Sequence, residues 1–419
     1  MARPAAEPDS RLHRNLRRVL TLSADSESSR HTPNEPWIER LRRFQDFTLA
    51  HPRLSEAKEK VLAAIRESAS NTLVMVSGPT GVGKTTLCAR IAQILTQEVS
   101  ADLEADRATI PVVSINAVSP ESGNFNWRDH FRRMLYQIEE PLVNYKRLPP
   151  GNGNRSTCSP AQAGTGRAGA EYCFAVEQAL RFRHPKAVLI DEAQHFAKVR
   201  SGRRLLDQLD VIKSIADRTR TIHVLFGTYD LLAFRNLNGQ LSRRSIDIHF
   251  QRYRAEEAGD RRIFASVLRS FERQLPFPEP PDLVKDWEYI YERTLGCVGV
   301  LKDWLMRALP TVLRAGRTAF GRKDLEPYAL SVSQCDRMLS ETLEGEIRLR
   351  ETKDIRLRLR LRLGLSDDTE SSAVVAREPV GVISGSQKPR RSRRLPGQRL
   401  PIRDRIGTTQ VVMGGGLHV

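Results

Sequence analysis

Eight residues, GPTGVGKT from Gly78 to Thr85, place three glycines, a lysine and a hydroxyl in the spacing GxxxxGK[ST]. Gly78, Gly81 and Gly83 let the loop, which includes Pro79 with no N–H of its own, turn the backbone amides of residues such as Thr80 and Val82 inward around an anion. Lys84 adds charge for the outer phosphates, and the Thr85 hydroxyl suits a magnesium ion. Thr86 extends the same first helical turn, whose unsatisfied N–H groups and dipole favour phosphate. This chemistry calls for a nucleoside triphosphate, ATP, carried with Mg2+.

A phosphate site of this kind needs a carboxylate on the metal side, placed at the end of a neighbouring buried strand. LIDEAQHF, Leu189 to Phe196, supplies Asp191 for that purpose, and Glu192 beside it for orienting and deprotonating the attacking water. Gln194 and His195 carry little class information in the sequence, and His195 reads most simply as a structural hydrogen-bonder. Downstream, LFGTYDLL puts Thr228 after Gly227 at another strand end, where it can touch the terminal phosphate or serve as a helix N-cap. Arg243 and Arg244, in GQLSRRS, are placed to reach a neighbouring copy's site. Arg128, Arg132 and Arg133 form one basic cluster, and Lys198, Arg200, Arg203 and Arg204 another. Either can track a phosphate backbone.

These groups require a scaffold that ends several strands at one level. LVMVS (from Leu73), IPVVSINA (from Ile110), AVLI (from Ala187) and TIHVLF (from Thr221) are apolar runs of strand length. The segments beginning TTLCARIAQ and NWRDHFRRM have helical periodicity. Alternation of the two predicts an α/β domain, a mainly parallel sheet sandwiched by helices in the P-loop architecture, over residues 36–254. WIERLRRFQDF and LSEAKEKVLAAIRESA predict two helices before the first strand, separated by the turn AHPRLS. Residues 147–171 are dense in Gly, Pro, Ser and Ala and predict a long flexible loop. Four helical patterns over 255–346 predict a small all-α lid.

The ends differ from this body. Residues 1–35 are polar and predict a flexible arm with a short helix near Leu12 to Leu20. Residues 347–419 predict a basic, largely disordered tail, with sixteen Lys or Arg against seven Asp or Glu from Arg348 onward. Within it, Ile355 to Leu363 alternates apolar residues with arginine, a strand period written in good helix formers. The formal charge of +17 makes polyanions the natural partners. Five scattered cysteines without a CxxC pair predict reduced thiols. Apolar runs fall short of the roughly 18 residues of a membrane span. The N-terminus lacks a signal-peptide core, so a cytoplasmic protein with no membrane partner is expected.

The order phosphate loop, DEAQ, strand-end Gly-Thr, Arg pair and helical lid resembles the AAA+ ATPases. HPRL, VSGPTGVGKTTL, LIDEAQHF, LFGTYDLL, GQLSRRS and LGCVGVLKDWL resemble, more closely, the TnsC/TniB group of transposition-regulator ATPases, over Trp37 to Leu343. The resemblance implies an ATPase that assembles on double-stranded DNA as a homo-oligomer, a ring or helical filament of hexamer-like form. It implies a transposase and a TniQ-like target selector as partners, with hydrolysis dismantling the assembly. By motif, Asp191 and Glu192 become the Walker B pair, Thr228 the first sensor, Arg243 or Arg244 the finger acting in trans, and Lys302 the candidate second sensor. A helicase-loader-like or insertion-sequence helper ATPase shares the same core, and a protein-binding NTPase switch without DNA shares the same nucleotide residues. A two-domain helicase is excluded by the helical pattern after Ala255.

Overall fold

The computed structural model describes residues 35–68, 72–99, 106, 108–119, 125–147, 166–197, 202–235, 245–278 and 281–365. Five strands, β1 (Leu73–Ser77), β2 (Val112–Asn116), β3 (Ala187–Asp191), β4 (Ile222–Gly227) and β5 (Ser245–His249), form one sheet in the order β2-β3-β4-β1-β5. Every pairing is parallel. Alternate side chains of each strand enter opposite cores, as the period of two requires. Leu73, Met75, Val188, Ile190 and Leu225 face one layer. Val74, Val76, Leu189, Val224 and Phe226 face the other. Both faces are therefore apolar, which is why these strands read as continuous hydrophobic runs.

Helices α1 (Trp37–Asp46) and α2 (Pro52–Glu67) precede the sheet, and α3 (Lys84–Glu98), α4 (Trp127–Gln137), α5 (Gly166–Arg183) and α6 (Gly202–Thr219) alternate with its strands. The α/β expectation holds. The lid follows as α7 (Ala258–Gln274), α8 (Trp287–Thr294), α9 (Val298–Arg314), the one-turn α10 (Arg322–Leu325) and α11 (Val332–Leu349) around Phe264, Leu268, Phe271, Leu301, Trp304 and Leu305. Helix α1 buries Phe44 in this lid cluster and not against the sheet, because Trp37, Leu41 and Phe44 share one helical face.

The structure differs from the sequence reading at four places. The stretch read as loop to Glu171 becomes α5 at Gly166, where Ala and Glu favour helix and Cys173, Val176 and Leu180 give it a buried stripe. Its earlier part, 148–165, lies outside the described residues, as do the N-terminal arm to residue 34 and the tail from 366. Helix α11 runs past the expected lid boundary at 346 to Leu349. Lys353–Arg362 then forms helix α12, in a separate compact unit that begins at Glu351; the helix propensity of Leu and Arg prevails over their alternation. Cys88, Cys297 and Cys335 are free and buried, whereas Cys173 is disulfide-bonded, against the expectation of reduced thiols. Among the described residues, no helix is long and apolar enough to cross a membrane.

Two core histidines make stability depend on pH. His130 sits among Phe125, Trp127 and Phe196, and burial pushes its imidazole down to about 3. His223 on β4 is pushed down to about 4, also by burial. Both are neutral when folded, whereas the unfolded chain takes up protons below about pH 6.5. Stability should be full above that value and fall as the pH drops toward 4. The denaturation midpoint of a His130→Phe variant should depend less steeply on pH between 7 and 4.5; an unchanged slope would show that these imidazoles are not held neutral.

Candidate functional site

β1 delivers the chain to the phosphate loop at Gly78, and three glycine positions explain the loop's sequence. A side chain on Gly78 would place Cβ 2.4 Å from the Phe250 carbonyl oxygen. Gly81 has φ +74° and lies against Val300 of α9, while Gly83 has φ +113°. These are backbone states and approaches that other residues resist. The lid closes on the loop directly: Val300 N donates to Gly81 O at 3.1 Å, and a Cβ on Gly299 would meet the same oxygen at 2.4 Å. Pro79 and Val82 are buried, and Thr80, Thr85 and Thr86 are exposed. Lys84 Nζ donates to Gly78 O at 3.0 Å and Pro79 O at 2.8 Å. Burial lowers this lysine to about 8, against the opposing charges of Glu192 and Asp191.

Parallel register brings the remaining groups to the same edge. Ser77 pairs with Gly227, Ile190 with Leu225, and Asn116 with Asp191, so β1, β3 and β4 end together. Ligands of open α/β sheets bind at this carboxyl edge. Asp191 is buried, and its Oδ1 accepts from Glu192 N at 2.9 Å. Glu192 has φ +55°, a left-handed conformation that turns its side chain away from the direction of Asp191's strand. Gln194, buried in the one-turn 3-10 helix Ala193–Ala197, donates from Nε2 to Glu192 Oε2 at 2.6 Å. Its Oε1 accepts from Thr228 N at 3.3 Å. Thr228 Oγ1 is buried without a hydrogen-bond partner among the described residues. Thr228 stands at the N-cap of the 3-10 helix Tyr229–Phe234, and its side chain makes no cap bond there.

These residues fit nucleotide with magnesium. Side chains at Gly78 and Gly81 would collide with Phe250 and Val300, an ammonium lies at the mouth of the loop, and an unsatisfied hydroxyl faces the same edge. No cluster of three or more His, Cys, Asp or Glu suited to a metal occurs among the described residues. Magnesium bound with phosphates needs only one or two protein oxygens, which Thr85 and Asp191 offer.

The last lid helix also reaches the site. A cleft of about 260 Å³ is lined by Pro79, Thr80, Thr228, Glu341, Gly345 and Arg348 among others. Gly345 is required because a Cβ there would lie 2.1 Å from the Tyr229 ring, beside Thr228. Tyr229 OH is 2.8 Å from His249 Nε2. Glu346 accepts from Arg252 Nε and Arg254 Nη2, both at 3.1 Å, in a nearly dry triad. Gly345 and Glu346 were not singled out in the sequence, where the one available signal was a glycine inside a helical pattern, and Gln194 was named there without a role.

Lys302 lies one turn beyond Gly299, with Nζ on the carbonyls of Gln45 (2.9 Å) in the last turn of α1 and of Phe47 (2.6 Å) at its C-cap. Arg243 and Arg244 lie outside the described residues. Arg128, Arg132 and Arg133 are exposed on α4, and the last two pair with Asp129 at 3.2 and 2.5 Å. Lys198 and Arg200 lie outside the described residues, and of Arg203 and Arg204 only the helical backbone in α6 is described.

Residues 66–235 match a family model described as AAA domain. The α/β body is therefore an AAA-type P-loop domain, a parallel five-stranded sheet flanked by helices with a helical region after it. No curated protein matches the chain. Among solved structures it is similar to the Aeropyrum pernix ORC2 protein, at 16% identity over 70% of this chain and 71% of that one, with a TM-score of 0.44. It is also similar to Drosophila ORC bound to DNA (13% identity, 79% and 73% covered, TM-score 0.37). Domain III of the Thermotoga maritima replication initiation protein DnaA is similar at 13% identity (75% and 99% covered, TM-score 0.37).

The triad gives a stability prediction. Removing Glu346 leaves two guanidinium groups without their buried counter-charge, a change that costs about 3–5 kcal/mol. Glu346→Ala should lower denaturant resistance by that order, read by tryptophan fluorescence; a loss below about 1 kcal/mol would show that water reaches the triad.

Proposed function

We propose that this chain is an ATPase that binds ATP and magnesium between phosphate loop and lid, and uses the bound state to assemble on double-stranded DNA as a transposition regulator. The observation that carries the ATPase reading is the meeting of Lys84, Asp191, Glu192 and Thr228 at one sheet edge, under a lid hydrogen-bonded to Gly81. Bound nucleotide and magnesium supply the anhydride and its charge compensation. The backbone from Gly78 to Thr86 cradles phosphates, and Lys84 exchanges its loop carbonyls for phosphate oxygens. Thr85 and Asp191 would hold the metal, Glu192 would orient water and take its proton, and Thr228 Oγ1 would gain the partner it lacks.

The DNA and transposition part rests on the motif resemblance and on charge. Exposed Arg128, Arg132 and Arg133, the arginines of α12 and the overall +17 suit a phosphate backbone, although Asp129 offsets part of the α4 face. On this reading Arg243 or Arg244 completes a neighbour's site within a ring or filament, hydrolysis dismantles the assembly, and a transposase and a TniQ-like selector are its protein partners. Lys302, in the helix that touches the loop, is the candidate second sensor on this reading, and its ammonium would have to leave the Gln45 and Phe47 carbonyls to reach a phosphate.

Duplex DNA binding should be tighter with ATP or a nonhydrolysable analogue than with ADP, and log affinity should fall linearly with log salt. Filter binding across a salt series measures both. Duplex binding that ignored the nucleotide, or was absent, would remove the DNA reading and leave a protein-binding switch.

A further inference from the structure

Gln194 bridges the ends of two adjacent parallel strands, β3 and β4. Its amide donates to the Glu192 carboxylate at 2.6 Å and accepts from the backbone N–H of Thr228 at 3.3 Å. The two contacts fix the amide's orientation, since a flipped group would set its oxygen against a carboxylate and its NH2 against an N–H. Gly227 protects the bridge: a Cβ there would lie 2.6 Å from Gln194 Oε1. Glu192 itself stands in left-handed backbone geometry, which non-glycine residues keep only where surrounding contacts hold it. His195 N closes the turn onto Glu192 O at 3.0 Å.

The geometry points to Gln194 as a positioning residue that ties the Glu192 carboxylate to the strand end bearing Thr228. Contact of Thr228 with the terminal phosphate then sets whether the base is aimed at water. Gln194 acts through Glu192 and touches no substrate. This inference rests on the reading of Glu192 as the base.

The test measures steady-state ATP hydrolysis with magnesium in the full chain. Gln194→Met keeps length and burial while removing both bonds. Gln194→Glu keeps an acceptor for Thr228 N and sets a carboxylate against Glu192. A positioned general base contributes about 10²–10⁴-fold, so each variant should lose about tenfold or more in kcat with KM for ATP within about twofold. In a Glu192→Gln background, Gln194→Met should add no further loss. Wild-type or raised kcat in Gln194→Met, or an equal further loss in the Glu192→Gln background, would overturn the assignment. Absence of hydrolysis by the unaltered chain would instead sink the ATPase reading itself, so the two failures are told apart.

Discussion

The short linker from Phe250 to Ala255 is the joint on which the structure depends. Phe250 N extends the ladder of β1 by bonding Ser77 O at 2.8 Å, and the Phe250 carbonyl packs on Gly78. Arg252 and Arg254 take the two oxygens of Glu346. Tyr253 N bonds Gly296 O at 3.1 Å, at the entry to α9, and its hydroxyl is 2.9 Å from His51 Nδ1 at the start of α2. Ala255 N donates to Tyr291 OH at 2.9 Å. Phosphate loop, lid and N-terminal segment are therefore fastened to one stretch of six residues, and a displacement of any one loads the others.

Buried charge makes that joint strict. Arg53 reaches Asp260 at 3.0 Å, and Asp260 also accepts from Arg254 N at 2.9 Å, so the HPRL segment is pinned to the first lid helix. An ion pair removed from water is costly unless its geometry and remaining hydrogen bonds are complete, and a half-made one is worse than none. The arrangement favours one docked position of the lid over a continuum. Val300 and Gly299 convert that position into pressure on Gly81, and Gly345 brings α11 against Tyr229, next to Thr228.

Much of this was legible beforehand because the informative residues are local. A phosphate loop between a strand and a helix, and two carboxylates ending an apolar run, declare their positions by sequence neighbours alone. The inner strands β1, β3 and β4 were legible because each is buried along its whole length and reads as an apolar run. What escaped was contact between distant segments. Glu346 lies 94 residues from Arg252, and α1 has an ordinary amphipathic stripe that does not state which core it joins. Gln194 was discounted as lettering because its role depends on the register of β3 against β4. In α12, period and propensity disagreed, and with no buried side chains in that helix to reward alternation, propensity decided.

On the proposed reading, Glu192 at the end of β3 activates water for ATP hydrolysis in a site whose binding function is carried by other residues. Phosphate release and nucleotide affinity measured together on Glu192→Gln and the unaltered chain test it most directly. In Glu192→Gln, ATP affinity should stay within about twofold and phosphate release should fall by about 10²-fold or more. Hydrolysis at the unaltered rate, or loss of ATP binding along with turnover, would contradict it.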